Sequence, residues 1–176
     1  EQMKVMQPME FTTRDGLVIN GYLTLPDNKG KNYPLVVLPH GGPHGLRDNW
    51  GFDWEVQLLA SRGYGVLQVN FRGSGGFGKA FLESGYGKWG TLMQDDLTDA
   101  TKALIKKGIA DPDRICIYGA SYGGYAALMG VIREPELYQC AIGSVGVYDL
   151  PLMFEKGDIA SEENGLAYLK EALGDN

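Results

Sequence analysis

The run Ile115-Cys116-Ile117-Tyr118, continued by Gly119-Ala120-Ser121-Tyr122-Gly123-Gly124-Tyr125, decides how this chain is read. The first four residues are β-branched or aromatic and bounded by Asp111-Pro112-Asp113 and Gly119, which predicts a buried strand. Residues 125–132 are apolar nearly all round, as in a buried helix. Ser121 therefore falls on a sharp strand-to-helix turn, a nucleophile elbow, where a hydroxyl is exposed at the sheet end and the next N–H is free to donate. Gly119 and Gly123 flank it at minus and plus two, where a Cβ would collide with the turn or with the helix. A bare G-x-S-x-G is common; the strand before it and the helix after it give this one its weight.

A second motif follows the apolar run Leu35-Val36-Val37-Leu38: Pro39-His40-Gly41-Gly42-Pro43-His44-Gly45. In α/β hydrolases the N–H after the nucleophile is paired with one from a loop of this kind, because two converging donors hold a developing alkoxide. The expected oxyanion donors are the N–H of Tyr122 and that of Gly41 or Gly42. His40 and His44 are the only histidines, with no cysteine or acid between them, so no metal site is expected. Both precede Ser121, whereas the hydrolase triad runs serine, acid, histidine along the chain. The expectation is a partial catalytic domain, truncated after the strand that follows the nucleophile helix, lacking the triad Asp and His and inactive by itself.

Residues 1–8 show no charged-then-apolar targeting organisation and are read as a leader from an upstream region. No apolar stretch approaches the roughly 20 residues of a membrane span, so the compartment stays open and no membrane partner is expected. The net charge of −6 argues against nucleic acid, which favours a basic face. The acidic residues are scattered, as solvated ones are. Cys116 and Cys140 fall in two strand candidates and are read as buried free thiols, with parallel neighbouring strands as the arrangement that would bring them together.

Strand and helix signals alternate, predicting an α/β fold whose mostly parallel sheet carries helices on both faces. Residues 9–13 and 17–25, joined by Arg14-Asp15-Gly16, read as an edge hairpin; 35–38, 65–70, 115–118 and 140–145 read as central strands; 52–61, 92–107 and 122–133 read as helices. Leu97, Ala100 and Leu104 form the inward stripe of the middle helix, whose start suits Asp95 and Asp96. Residues 148–176 read as the start of an insertion or helical flank. An exposed sheet edge there predicts self-association. The stretch Asn70-Phe71-Arg72-Gly73-Ser74-Gly75-Gly76-Phe77-Gly78 superficially matches a dinucleotide loop, but no acid follows at the usual interval, so it is read as a flexible rim loop beside Ser121 and no cofactor is expected.

These segments in this order, with Phe11 to Gly16, Trp89-Gly90 and Asp95-Asp96, resemble the catalytic domain of the prolyl oligopeptidase family over about residues 9–150, especially its acylaminoacyl-peptidase and dipeptidyl-peptidase-like branch. The resemblance implies a serine peptidase acting on peptides, an N-terminal β-propeller in the parent, Ser121 as nucleophile, and the Tyr122 and Gly42 N–H groups as oxyanion hole. A carboxylesterase on the same fold, and a non-catalytic binding or assembly module, stay open beside it.

Overall fold

A computed structural model describes residues 3–26 and 30–174. Six strands form one sheet in the order β1-β2-β4-β3-β5-β6: β1 (Met6–Thr12), β2 (Val18–Thr24), β3 (Tyr33–Val37), β4 (Gly65–Asn70), β5 (Ala110–Ala120) and β6 (Cys140–Ser144). β1 and β2 make the expected antiparallel edge hairpin, while β3, β4, β5 and β6 run parallel. The hairpin closes on Gly16 at φ 86°, a conformation that only glycine adopts without strain. Met6, Gln7 and Pro8 already pair with β2, so part of the segment expected to be a leader belongs to the sheet; residues 1 and 2 lie outside the described residues.

Helix α1 (Trp54–Ser61) begins two residues later than its apolar pattern suggests, because the Asp53 carboxylate caps the N–H groups of Glu55 and Val56 at 2.9 and 3.1 Å. Helix α2 (Lys79–Glu83) is a short turn the sequence reading did not anticipate. Helix α3 (Leu92–Lys106) buries Met93, Leu97, Ala100 and Leu104, the expected stripe and one more turn of it. Asp96, read above as a solvated helix-start acid, is instead fully buried: its carboxylate takes three hydrogen bonds of 2.7 to 2.9 Å from the backbone and guanidinium of Arg72. Burying a charge requires such a partner, and Arg72, next to the end of β4, is within reach. Asp15 from the hairpin turn receives the remaining Arg72 donors at 2.8 and 3.0 Å.

Helix α4 (Tyr122–Arg133) packs on β5 and β6. β6 is the outer strand, and its Ile142 is 56% exposed. The cysteine expectation is corrected here. Parallel register sets Cys116 directly opposite Cys140, with Cα atoms 4.7 Å apart, and the two form a disulfide between β5 and β6. The last part of the chain is a helical flank: a 3-10 turn at Pro151–Phe154, then α5 (Asp158–Ser161) and α6 (Gly165–Leu173), which buries Leu169 and Ala172. Among the described residues no helix is long and apolar enough to cross a membrane.

Candidate active site

Ser121 occupies the junction between β5 and α4 with φ 56° and ψ −123°, a conformation that L-residues rarely adopt outside functional turns. Neighbouring backbone holds it there. The Ser121 N–H donates to the Ser144 carbonyl at 3.0 Å, and its own carbonyl accepts from Gly124 and Tyr125 at 3.0 and 3.2 Å. The glycine requirement inferred from sequence is met in distances. A Cβ on Gly119 would lie 2.5 Å from the Gly123 backbone, and one on Gly123 would lie 2.3 Å from the Pro39 carbonyl oxygen. The second contact matters most, because there the nucleophile helix touches the histidine-glycine loop.

That loop leaves the end of β3, where the Leu38 N–H donates to Leu67 at 2.8 Å, and passes beside the serine: the Cβ position of Gly41 is 3.7 Å from Ser121 Cβ. Gly42 has φ 115° and precedes a cis peptide to Pro43. The N–H groups of Tyr122, Gly41 and Gly42 meet no acceptor among the described residues, and Tyr122 stands in the first turn of α4, where amides lack an intrahelical partner. Ser121 is exposed and its neighbour Tyr122 turns its ring inward, against Phe71 and Trp89 with ring centroids 5.5 and 4.5 Å away. The arrangement sets the exposed Ser121 side chain beside the Gly41 backbone, next to amides without an acceptor among the described residues; converging backbone donors are what a tetrahedral oxyanion requires.

Neither histidine reaches this hydroxyl by a hydrogen bond among the described residues. His40 stacks on Phe71 with centroids 4.4 Å apart and planes at 16°. Its Nδ1 lies 2.7 Å from the Gly41 carbonyl oxygen, and its Nε2 lies 2.8 Å from Ser74 Oγ. His44 Nε2 accepts from the Trp89 indole N–H at 3.1 Å and sits among the rings of Tyr86 and Tyr168. Burial holds both imidazoles down to about 4, so they are neutral at pH 7. The two rings thus face different partners, and among the described residues no group of three or more His, Cys, Asp or Glu is placed to hold a metal.

The glycine-rich stretch after β4 differs from its expected role. Residues 71–75 are buried, and they brace the histidine-glycine loop: Gly45 N–H donates to Gly73 at 3.1 Å and Gly75 N–H to Leu46 at 2.8 Å. A Cβ on Gly75 would fall 2.1 Å from the Gly45 carbonyl oxygen, so its glycine serves close packing of two loops. Two features escaped the sequence reading. One is an open cavity of about 370 Å³ beside Ser121, lined by Val145, Val147, Met153, Lys156 and Ile159. The other is a cavity of about 190 Å³ behind the loop, lined by Asp48, Asp53 and Glu55, where burial pushes the Asp48 carboxyl up to about 7. Only Asp53, in a capping position before an apolar run, carried a sequence signal.

The prolyl oligopeptidase family (peptidase family S9) matches residues 50–172. Dipeptidyl aminopeptidase BIII of Pseudoxanthomonas mexicana is 46% identical over 151 residues, which cover 81% of this chain and 22% of that protein. A puromycin-hydrolysing peptidase of Mycobacterium tuberculosis superposes on 98% of this chain and 26% of its own, with a TM-score of 0.88 and 31% identity. The Pyrococcus horikoshii acylaminoacyl peptidase does so over 100% and 28%, with a TM-score of 0.87 and 30% identity. The chain thus spans about a quarter of the length of these proteins, and the part it spans is an α/β-hydrolase sheet with its helices. On the family match over more than half its length and on these likenesses, the chain belongs to the prolyl oligopeptidase family of serine peptidases.

Proposed function

We propose that Ser121 is the nucleophile of a peptidase, with the N–H groups of Tyr122 and Gly42 as its oxyanion hole. The observation that carries this reading is the backbone of Ser121, held at φ 56° with its side chain exposed beside Gly41. The hydroxyl oxygen attacks the peptide carbonyl carbon while a base takes its proton; the two N–H groups receive the resulting oxyanion. Collapse expels the amine, which takes up the proton, and water then hydrolyses the acyl-serine ester. His40 and His44 are neutral and engaged elsewhere, which supports a base supplied from outside residues 1–176. The relatives are named as dipeptidyl and acylaminoacyl peptidases, which favours short peptides as substrates over simple acyl esters. The 176-residue chain alone should be nearly inactive, since a serine hydroxyl without its base loses about 10⁶ in turnover.

The test uses the full-length protein. A fluorophosphonate should label Ser121, and Ser121→Ala should abolish both labelling and hydrolysis of a dipeptide anilide. Undiminished hydrolysis by Ser121→Ala would refute the assignment; faster turnover of short acyl esters than of peptide anilides would favour the esterase reading.

A further inference from the structure

Ser74, which is buried, and His40, which is half-buried, form a hydrogen bond with one another, and neither hydrogen-bonds to Ser121 among the described residues. Ser74 is 0% exposed. Their proton positions follow from the chemistry of their partners. The Gly41 carbonyl oxygen only accepts, so the His40 nitrogen 2.7 Å away, Nδ1, carries the hydrogen. In a neutral ring Nε2 then holds a lone pair, and the Ser74 hydroxyl 2.8 Å away must donate to it. Phe71 fixes the plane of the ring by stacking, and the Arg72–Asp96 ion pair anchors the segment between Phe71 and Ser74. The proton order is therefore directed: Ser74 O–H to His40 Nε2, His40 Nδ1–H to Gly41 C=O.

The far end of this relay is a peptide plane. Gly41 C=O and Gly42 N–H belong to one trans peptide, in which carbonyl and amide hydrogen point in opposite directions. Holding the carbonyl towards the His40 ring turns the Gly42 N–H away from that ring. Glycines on both sides of this plane leave it free to rotate unless something holds it. The other imidazole tautomer would set a lone pair of Nδ1 against the carbonyl oxygen and release the plane.

We propose that Ser74 is a positioning residue for the oxyanion donor at Gly42, acting by fixing the tautomer of His40. The inference rests on the assignment of Gly42 as a donor made above. Ser74→Ala removes one hydroxyl at nearly constant volume and leaves Nε2 without its donor, so either tautomer becomes accessible. Loss of a complete oxyanion donor lowers kcat by roughly 10²–10³; a donor misaimed for part of the time should lower it by about 10 to 100-fold, with KM nearly unchanged, because the aim matters in the transition state.

The test is a set of variants of the full-length enzyme. His40→Asn sets an amide N–H near the position of Nδ1 and needs no help from Ser74; His40→Gln sets it near Nε2 instead. Expected results are a large loss of kcat in Ser74→Ala and His40→Gln, a smaller loss in His40→Asn, and little further loss when Ser74→Ala is added to His40→Asn. Equal losses from Ser74→Ala in both backgrounds would mean independent packing and overturn the proposal. Nitrogen-15 spectra of the labelled imidazole should show Nδ1–H in the parent and a changed tautomer ratio in Ser74→Ala; Nε2–H in the parent would overturn it as well. Replacing the Gly42 N–H by an ester oxygen separates the two layers of the argument. If that variant keeps full kcat, the oxyanion assignment itself has failed. If it loses kcat while Ser74→Ala does not, the positioning role of Ser74 has failed.

Discussion

Replacing Gly123 by alanine should disable the site without touching a reacting atom. The new methyl would lie 2.3 Å from the Pro39 carbonyl oxygen, against 3.4 Å for an ordinary contact, so helix and loop must separate by about 1 Å. The opposing atom is backbone, and it immediately precedes His40 and the Gly41–Gly42 peptide; no flexible side chain can absorb the move. A misplacement of about 1 Å costs on the order of 10²-fold in rate, or ~2.7 kcal/mol of transition-state stabilisation. Overpacking should also lower global stability by about 1–3 kcal/mol. The control is Gly130→Ala on the same helix, whose methyl would meet side-chain atoms of Ile117 and Tyr138 at 3.3 Å, each able to give slightly. That variant removes a helix-interior glycine, worth roughly 1 kcal/mol in propensity, and should keep its kcat. Steady-state kinetics on a peptide anilide with the full-length enzyme, at matched folded fraction by circular dichroism, decides the matter. Parental kcat in Gly123→Ala, or an equal loss in Gly130→Ala, would refute the claim that this contact sets the loop.

Two stability predictions follow from the buried charges. Asp96→Ala leaves Arg72, whose side chain is 5% exposed, with only the partly exposed Asp15, and should cost about 3–5 kcal/mol in urea unfolding, whereas Arg72→Met with Asp96→Leu should cost far less than the two single changes summed; a single-variant cost under about 1 kcal/mol would contradict the structure. Asp48, raised to about 7 by burial and by Asp53 against the Gln68 hydrogen bond, takes up a proton on folding, so its contribution is intact below the unfolded value near 4 and is lost as pH rises through about 7; Asp48→Asn should gain up to roughly 4 kcal/mol on the parent between pH 5 and 8. His40 and His44 act in the opposite sense, losing stability as pH falls from 6.5 towards 4, so only the difference between variant and parent isolates Asp48, and a difference that does not grow with pH would refute the assignment.

The sheet, its longer helices and the strand-to-helix turn at Ser121 were legible because each rests on a local signal: period, a bounding glycine or proline, or a steric demand on one residue. The Gly123 contact with Pro39 is the tertiary counterpart of a rule read from spacing alone. What escaped depended on pairing. Asp96, near the start of α3, carries the same composition signal as a solvated acid, and only the approach of Arg72, 24 residues earlier, makes it a core residue. Cys116 and Cys140 are likewise separated by 24 residues, and their bond depends on the register of β5 against β6, which no local pattern states. The stretch from Asn70 to Gly78 was read as a flexible rim loop from its glycines, whereas Gly75 lets its backbone pack closely on that of Gly45.

The deeper reason two motifs some eighty positions apart meet is the strand order. From β3 the chain crosses to β4 on one side, then returns past β3 to β5 on the other, so the loops leaving β3 and β5 diverge from a shared crevice. Such a switch point, at the carboxyl ends of parallel strands, is where open α/β sheets bind ligands. The register sets Val37, the last residue of β3, opposite Ile117 in β5, which runs on to Ala120, and the loop after β3 then passes with Gly41 beside Ser121 and Pro39 against Gly123. Strand β4, on the far side, ends in Asn70 and delivers Phe71 and Ser74 under His40. On the proposed reading each of the three central strand ends carries a different duty: β5 leads to the hydroxyl and the Tyr122 donor, β3 to the Gly42 donor, and β4 to the support that aims it. This division makes a specific demand on mutational data. Substitutions after β5 should abolish labelling of Ser121, whereas conservative ones after β4 should leave labelling measurable and lower kcat, and the reverse pattern would overturn it.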